Sequence, residues 1–552
     1  MNVSTPEKSG KPVEELDAVI LGAGFAGLCQ LHKLRNEKGL NVRAFDKAGG
    51  VGGTWYWNRY PGARSDTESF VYSYSFDREL YDEWEWTDRY PRQPEILSYL
   101  EHVADRYDLR RSIRFNTTVT KAHFNEATNR WDVETDKGDR ISAKWIVTGL
   151  GLLSAVNIPN IKGRDSFKGE TYHTANWPHE PVDFTGKRVG VIGTGSTGVQ
   201  LITEVAPQCK HLTVFQRSAQ YSVPARHGPI PNDEIDRIKA DYDNYFDTVR
   251  RSATCFGFDE SDVPAMSVSA EERERVFEEG WQKGGGFRFM FGTFGDIAVD
   301  PEANEAAADF VRRKIDKIVK DPKKAEALKP YTLYARRPLC DAGYFETFNR
   351  DNVDIADVKA NPIKEITPKG IRLEDGTEHE LDVLIFATGF DAVTGNFNRI
   401  DFRGRGGKKL ADHWADGPRA YFGLCPAGFP NWFSIYGPPG PFTNQPPAIE
   451  WQCQWVADTI EHVDANGYAT IEATPEAEQA YLDKCIEIAE STLFVKLDWW
   501  AMGTNPENGK KAVMFFMGGM GDYIKRLEEA TAKGYEGFVL KGEEENAKVS
   551  TG

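Results

Sequence analysis

The sequence is poor in cysteine, in long apolar runs and in positive charge, and each shortage argues against a class of protein. Its seven cysteines are scattered, with no CxxC pair, so neither a zinc ribbon nor a dithiol redox centre is indicated. No stretch approaches the roughly 18–20 apolar residues of a membrane span, and the polar N-terminus lacks the apolar segment of a secretory signal. These features predict a soluble, cytoplasmic protein with reduced thiols.

Acidic residues outnumber basic ones by 84 to 67, which gives a formal net charge of −17. Such a charge repels phosphate backbones and anionic lipid, so we expect no nucleic-acid or membrane partner. Nothing in the sequence implies an obligate protein partner either. What is abundant is glycine, with 51 residues, and aromatic side chains, which make up 12% of the chain. At 552 residues the chain is too long for one ordinary domain.

A glycine loop follows the first apolar segment of the chain. Gly22 permits a tight turn, Gly24 lets the backbone approach a pyrophosphate, and Gly27 allows close packing of helix on strand. Asp46 ends the next predicted strand, where an acid accepts a hydrogen bond from a ribose 2′-OH. The alternative is a turn without a ligand, but strand, helix and acid in register favour a dinucleotide site.

A second loop of the same form contains Gly193, Gly195 and Gly198. Its second predicted strand is followed by Arg217 instead of an acid. An arginine there can clamp a 2′-phosphate, which a carboxylate would repel. Arg217 alone could be a solvated surface residue, but its register favours the phosphate. We therefore expect FAD in the first site and NADPH in the second, exchanging electrons.

The pattern of segments predicts an α/β fold with two Rossmann-like dinucleotide-binding domains and a helical insertion in the second. Apolar residues at helical spacing within charged sequence mark the insertion. The predicted organisation is a disordered tail over 1–14, FAD-binding parts over 15–150 and 386–540, NADPH-binding parts over 151–230 and 331–385, the insertion over 231–330, and a second tail over 541–552. The second FAD-binding part is expected to contain a mobile C-terminal loop with the sequence WWAMGTN.

Two longer motifs carry a family resemblance. The pattern FxGxxxHxxxW(P/D) is present as Phe167, Gly169, His173 and Trp177, and GGxWxxxxYPGxxxD runs from Gly52 to Asp66. On these motifs the chain resembles the flavin-dependent Baeyer–Villiger monooxygenases over residues 16–540. Segments such as GGGFRFMFGTFGDIA and GPFTN look like the cyclohexanone monooxygenase branch.

Related flavoproteins fit less well. Disulfide reductases need a cysteine pair soon after the first loop, and residues 49–66 contain none. Flavin N- and S-monooxygenases usually end the first motif in Tyr followed by Lys or Arg, whereas this chain has Trp177-Pro178. Two alternatives stay open: an oxygenase acting on sulfur or nitrogen, and a non-catalytic NADPH-binding protein.

The resemblance implies an activity and two central residues. NADPH reduces FAD, the reduced flavin takes up O2, and a C4a-peroxyflavin attacks a hydrophobic, cyclic ketone to give a lactone or ester. Arg337 is implied as the cation that stabilises the peroxide anion, since a guanidinium stays charged. Asp66 is implied as the carboxylate that orients it. The alternative for this pair is a structural salt bridge.

Further residues take their predicted roles from the resemblance and from the two loops. His173 and Trp177 belong to a motif that serves the linker between domains. Three positions depart from the family pattern. Arg336 replaces a lysine that contacts the NADP 2′-phosphate, and an arginine can make the same contact. Gln445 replaces leucine and Pro439 replaces asparagine, and these two changes put the ring size of the ketone in doubt. The remaining cofactor candidates are Gly53, Thr54, Trp55, Ser196, Thr197, Gln200, Arg336 and Trp500, and the pocket candidates are Leu150, Leu153, Phe287, Phe289, Phe442, Gln445 and Phe515. No metal site is expected.

Overall fold

A computed structural model describes residues 11–503 and 512–542 of the chain. Most of the two predicted tails therefore lies outside the described residues, as does the end of the loop predicted to be mobile, from residue 504. The first strand begins at Val13 and the last one ends at Gly542, so both predicted tails were drawn two residues too long. Backbone pairing to neighbouring strands orders these residues although their sequence is polar.

The strands pair into sheets of different size. In chain order they are β1 Val13–Leu21, β2 Val42–Phe45, β3 Ile113–Arg114, β4 Val119–Asn125, β5 Arg130–Thr135, β6 Arg140–Thr148, β7 Glu170–His173, β8 Arg188–Ile192, β9 His211–Gln216, β10 Ser222–Pro224, β11 Leu339–Asp341, β12 Val353–Asp357, β13 Ile363–Thr367, β14 Gly370–Leu373, β15 Glu378–Glu380, β16 Val383–Phe386, β17 Asp401–Arg403, β18 Trp432–Ser434, β19 Gly440–Pro441, β20 Tyr468–Ala473, β21 Phe515–Phe516 and β22 Phe538–Gly542.

Helices cover the sheets and form the insertion. The α-helices are α1 Phe25–Leu31, α2 Thr54–Trp57, α3 Arg78–Glu83, α4 Gln93–Arg106, α5 Ser196–Val205, α6 Asn232–Ala240, α7 Tyr242–Arg251, α8 Ala270–Lys283, α9 Gly286–Gly292, α10 Pro301–Ile318, α11 Pro322–Leu328, α12 Tyr344–Thr347, α13 Leu410–His413, α14 Gln445–Ala465, α15 Pro475–Glu490 and α16 Met520–Ala532. No helix of the described residues is long and apolar enough to cross a membrane.

The first sheet is built from both ends of the chain. Its order is β17-β4-β5-β6-β1-β2-β3, and β18 pairs with β6. The central β1 is parallel to both β2 and β6. Residues 18–21 of β1 are buried, which explains why they read as a continuous apolar run: the strand is covered on both faces.

The second sheet has the order β12-β9-β8-β16-β7, and all its strands are parallel. The strand β7, which carries part of the first family motif, lies at one edge beside β16. Together the two sheets confirm the predicted α/β class with two Rossmann-like units. The chain therefore enters the second sheet through β7 and leaves it after β16.

The predicted insertion is helical and runs from α6 to α11. The apolar spacing between Ile235 and Val249 predicts helical structure, and the structure divides this stretch into α6 and α7. The break is at Asp241, whose backbone leaves the helical region at φ −124° and ψ 40°. Within the insertion Phe277 and Phe310 pack with ring centroids 5.5 Å apart, as part of the same apolar core that lies under the two large sheets.

An aromatic cluster closes the outer face of the first sheet. Trp432 of β18 stacks on Phe402 of β17, with ring centroids 4.5 Å apart. It also meets Trp131 of β5 edge-on at 6.0 Å. Phe402 and Trp432 are each 1% exposed. Burial of these rings holds the C-terminal strands on the N-terminal sheet.

We expect Phe402→Ala to lower the free energy of unfolding by about 3–5 kcal/mol, because it removes a buried ring and leaves a cavity against Trp432. The thermal unfolding midpoint of the FAD-loaded protein measures the effect. Val539→Ala is the control, since Val539 is 39% exposed. Equal midpoints for the two variants would contradict the packing role given to Phe402.

Candidate functional site

A cleft of about 1200 Å³ lies between the carboxyl ends of the two sheets. Both glycine loops open into it, as expected for parallel sheets that bind ligands beyond the ends of their strands. The segment that follows β16 and the residues around α14 close its other side. One continuous space therefore joins the two predicted dinucleotide sites.

The first loop has the geometry that its glycines predict. Gly22 has φ +113°, a conformation that side chains rarely adopt. A Cβ on Gly27 would lie 1.9 Å from the carbonyl oxygen of Gly22. Gly27 therefore permits packing of α1 on the loop and does not itself line the cleft, whereas Gly22 and Gly24 do.

Asp46 is tied to the backbone around this loop. Its Oδ2 accepts a hydrogen bond from the Ala23 amide at 2.7 Å, and its Oδ1 accepts one from the Ala48 amide at 2.8 Å. Burial raises the pKa of the Asp46 carboxyl, and these two backbone donors oppose the shift. Each oxygen retains acceptor capacity, so contact with a ribose stays a prediction.

The second loop repeats the geometry. Gly193 has φ +111°, and Gly198 packs closely against the Gly193 carbonyl. A Cβ added at Gly195 would meet nothing within 4 Å, so the loop is open towards the cleft. Gly198 does not line the cleft, while Gly193 and Gly195 do.

Two arginines reach the cleft beside the second loop. Arg217 directly follows β9, and Arg336 lies across from it. Burial lowers the pKa of Arg336, with a further lowering from the positive charge of Arg217, while Asp498 opposes the shift. Two cations near one another create a field that favours a bound anion.

Asp66 lies at the centre of a buried network. Its side chain is 3% exposed. Oδ2 accepts hydrogen bonds from Ser196 Oγ at 2.8 Å and from Arg337 Nη2 at 3.2 Å. Oδ1 accepts one from Gln200 Nε2 at 3.0 Å. Because α5 carries both Ser196 and Gln200, the carboxylate joins the two halves of the cleft.

Gln200 has less freedom than a direct cofactor contact would need. Its Oε1 accepts a hydrogen bond from the buried Tyr60 hydroxyl at 2.8 Å, while its Nε2 also donates to the Arg64 carbonyl at 3.2 Å. Burial raises the pKa of Tyr60, so its hydroxyl remains a donor. Gln200 lines the cleft but is also part of the support for Asp66.

Arg337 is held from two directions. Its guanidinium contacts Asp66 and lies over the face of Phe287, with Cζ 5.1 Å from the ring centroid. Its side chain is 31% exposed and lines the cleft. An arginine in this setting is a fixed, permanent positive charge that faces a largely apolar space.

The second family motif contributes Gly53, Thr54 and Trp55 to the cleft wall. Gly53 faces the first loop so closely that a Cβ on it would lie 2.9 Å from Gly24 Cα. Trp55 Nε1 donates a hydrogen bond to the Tyr72 hydroxyl at 3.2 Å. The motif therefore packs directly against the first loop and continues the cleft wall beside it.

The first family motif lies outside the cleft wall. Phe167, Gly169, His173 and Trp177 do not line the cleft. His173 instead connects the turn that follows β7 with the segment that precedes β7. Its Nδ1 accepts a hydrogen bond from the Ala175 amide at 3.1 Å, and its Nε2 lies 3.2 Å from the Asn157 carbonyl oxygen, to which it donates.

Six of the seven pocket candidates line the cleft, and Phe289 does not. Phe442 and Phe515 face one another with centroids 5.5 Å apart. The prediction that Phe289 lines the pocket is wrong: it is fully buried and packs on Phe277 at 5.5 Å. Residues two apart on a helix point to opposite sides, so only Phe287 of this pair faces the cleft. The cleft-lining candidates are Leu150, Leu153, Phe287, Phe442, Gln445 and Phe515.

Trp500 lines the cleft close to residue 503, where the first of the two described ranges ends. Its ring meets Phe515 edge-on at 5.7 Å. Its neighbour Trp499 contacts Phe442 at 5.9 Å. Both tryptophans therefore pack on the aromatic side of the pocket.

Several residues that line the cleft were not predicted as site residues. Tyr60 is one of them, and only its place in the motif from Gly52 to Asp66 pointed to it. Phe256 and Lys47 also line the cleft, and neither stands in a predicted motif, whereas Phe291 lines it and belongs to the segment GGGFRFMFGTFGDIA. In the described part of the chain no cluster of His, Cys, Asp or Glu could hold a metal ion.

Comparison with known proteins gives consistent results. A family model described as Flavin-binding monooxygenase-like matches residues 16–227. The chain is 57% identical over 539 residues to a Baeyer–Villiger monooxygenase of Pseudooceanicola batsensis, covering 98% of each chain. It is 51% identical over 524 residues to a phenazine N-monooxygenase of Lysobacter antibioticus, covering 95% of this chain and 97% of that one.

Solved structures agree. The structure of cyclohexanone monooxygenase from Rhodococcus sp. Phi1 bound to NADP+ matches with a TM-score of 0.94 and 56% identity. The match covers 96% of this chain and 100% of that one. Fold and sequence therefore lead to the same group of enzymes.

The His173 link predicts a pH-dependent stability. Burial lowers the pKa of His173, and its neutral Nδ1 accepts the Ala175 amide. Since the unfolded chain then binds the proton more readily, stability is present above the unfolded pKa of about 6.5 and declines as pH falls below it.

The thermal unfolding midpoint, measured from about pH 8 to about pH 5, checks this dependence. We expect His173→Gln to be less stable than the wild type at the higher pH and the gap to shrink at the lower pH. His462→Gln, at an exposed histidine, is the control. A gap that stays constant or widens on acidification would show that His173 does not titrate as described.

Proposed function

The chain belongs to the family of flavin-dependent Baeyer–Villiger monooxygenases, and we propose that it inserts one oxygen atom of O2 beside the carbonyl of a hydrophobic, cyclic ketone. FAD and NADPH are its cofactors. The observation that carries the proposal is the pair formed by the buried Asp66 and Arg337, which faces a largely apolar cleft between two dinucleotide loops.

The residues of the first loop fit FAD. The loop leaves the amide groups at the start of α1 without a side-chain cap, and this end of a helix favours phosphate. Asp46 is positioned at the end of β2 for the adenosine ribose. We assign residues 15–150 and 386–540 to the binding of FAD. Gly53, Thr54 and Trp55 would hold the cofactor beside the first loop.

The residues of the second loop fit NADPH. The open face at Gly195 suits a pyrophosphate, and Arg217 and Arg336 supply charge for a 2′-phosphate. Arg336 offers bidentate geometry where relatives commonly carry lysine. We assign residues 151–230 and 331–385 to NADPH, with Ser196, Thr197 and Trp500 as further contacts, while Gln200 supports Asp66 next to them.

FAD, once reduced by NADPH, supplies the activation of O2. The chain must then stabilise negative charge without giving up a proton. Arg337 suits that task because its guanidinium stays charged at every working pH. Asp66 holds it by a hydrogen bond of 3.2 Å, while Ser196 and Gln200 occupy the other acceptor positions of the carboxylate. The pair is thereby oriented before substrate arrives.

The pocket supports a ketone held by shape and burial. Phe287, Phe442 and Phe515 give it aromatic walls, with Leu150 and Leu153 among its aliphatic ones. Gln445 begins α14 and adds one amide to this lining. We propose that this amide widens the accepted range towards ketones with a polar substituent.

Oxygenation of a ring nitrogen is the second candidate function. It is favoured by the 51% identity to a phenazine N-monooxygenase over nearly the whole chain. The same cleft and the same cation, Arg337, could serve either reaction, so the two functions differ only in the substrate that is oxygenated. Retention of both loops and of Arg337 argues against a protein that only binds NADPH.

The purified protein should be yellow and should oxidise NADPH faster when cyclohexanone is present. Gas chromatography should then detect ε-caprolactone, because the apolar cleft accepts a cyclic ketone next to the flavin site. The same assay with an aryl sulfide and with phenazine separates the two candidate functions. N-oxide or sulfoxide without any ester from a panel of ketones would contradict the ketone assignment.

Arg337→Ala should lower the rate of ester formation by about 10²–10³-fold, since it removes the fixed cation that faces the developing charge. Reduction of the flavin by NADPH, followed by stopped-flow absorbance, should continue. Arg337→Lys is the matched variant and should retain part of the activity because it keeps a positive charge. Unchanged ester formation in Arg337→Ala would remove the role given to this arginine.

A further inference from the structure

A second buried carboxylate that pairs with an arginine lies two residues from Asp66. Glu68 is 4% exposed. Its Oε1 accepts a hydrogen bond from Arg288 Nη2 at 2.5 Å, and its Oε2 accepts one from Arg89 Nη1 at 2.9 Å. Arg89 also binds Glu234 of α6. Glu68 thus anchors α9, which carries Arg288, to the segment that contains Asp66.

A stack of aromatic rings connects this pair to the catalytic candidate. Arg288 lies over Phe258, with Cζ 5.2 Å from the ring centroid. Phe258 is nearly parallel to Phe256 at 5.9 Å and 4°, and Phe256 stacks on Phe287 at 4.2 Å and 22°. Arg337 lies over Phe287 at 5.1 Å. Each neighbouring distance is in the range of a favourable cation–π or ring–ring contact.

These contacts form a closed circuit, which we call the aromatic clamp. It runs from Asp66 through Arg337, the three phenylalanines and Arg288 to Glu68, which returns to Asp66 along the backbone. A space of about 10 Å³ lies among six of its seven residues, all except Arg337, and leaves room for no more than about one water molecule. On that side the residues are closely packed, so a displacement of Arg288 or Phe258 is passed to its neighbour.

Arg337 needs such a second support. Among residues 11–503 and 512–542 its guanidinium makes one hydrogen bond, to Asp66. A single hydrogen bond leaves rotation about the bond free, whereas contact with a ring face fixes the plane of the guanidinium as well. The direction of its remaining N–H groups depends on both contacts.

We infer that Glu68 and Arg288 are positioning residues, which set the orientation of Arg337 through the aromatic clamp. Phe258 does not line the cleft and transmits the constraint without touching substrate. The inference rests on the proposed function of Arg337. It assigns part of the control of the active site to the helical insertion, whose α6 and α9 hold the far end of the clamp.

Arg288→Met tests the clamp in the FAD-loaded enzyme. This variant leaves Glu68 paired with Arg89, so the remaining buried charge stays compensated. We expect ester formation to fall by roughly 10- to 100-fold, because small displacements at a reacting site have effects of that size. KM for the ketone and the affinity for NADP+ should change little, and more of the oxidised NADPH should end as hydrogen peroxide.

Two further variants separate positioning from folding. Arg313→Met is the matched control, since it breaks a short pair with Glu274 on the surface of the same insertion. It should behave like the wild type. Arg288→Lys keeps a cation opposite Glu68 and should recover much of the lost rate. If Arg288→Met fails to fold, Phe258→Leu takes its place, because it interrupts the clamp without disturbing any charge.

A double mutant and a crystal structure complete the test. If Arg288 acts through Phe258, the effect of Arg288→Met with Phe258→Leu will be smaller than the product of the single effects. In the FAD-loaded Arg288→Met crystal the Arg337 guanidinium should move away from Asp66. A wild-type rate of ester formation with an unmoved Arg337, or multiplicative single effects, overturns the inference.

The crystal structure also separates the two hypotheses. A wild-type enzyme that makes no ester from any ketone refutes the proposed function. The position of Arg337 in the variant then still decides whether the clamp exists. Conversely, active wild type with an unmoved Arg337 in Arg288→Met refutes the clamp alone.

Discussion

The burial of one carboxylate, that of Asp66, is the constraint on which the site depends. A charged group that is almost removed from water needs partners for its acceptor positions, and here they come from α5 and from the segment before β11. Three distant parts of the sequence must therefore meet at one point. The two sheets are brought into a fixed relation there, and the cleft between them takes its shape from that relation.

Motifs with a local physical cause could be predicted from the sequence. Gly22 and Gly193 occupy turns that need positive φ, and such turns leave a pattern within a few residues. Asp66 and Arg337 lie 271 positions apart, and resemblance to a family, not spacing, suggested that they meet. Phe289 was misassigned because the direction of a side chain depends on which face of α9 is covered.

Residues that act by packing left no pattern to read. Phe256 and Phe258 lie between α7 and α8, in a stretch where the sequence suggests only charged helices. Their importance comes from the parallel stacking of their rings, which exists only once the insertion has folded onto the segment around Glu68. Glu68 likewise reads as one acid among many until its burial is known. Tertiary contact, and not local sequence, creates these roles.

The first sheet combines strands from both ends of the chain, and this affects the state of the nascent chain during its synthesis. Residues 146–148 of β6 pair with residues 432–434 of β18, and β4 pairs with β17, so both partners are synthesised much later than the strands that they complete. Ribosomes add about 5–20 residues per second, so this edge of β6 stays unpaired for roughly 15–60 s. During that time Trp131 lacks the cover that Trp432 later provides. Until β18 has been made, the backbone groups of this edge remain open to pairing with a strand of another chain.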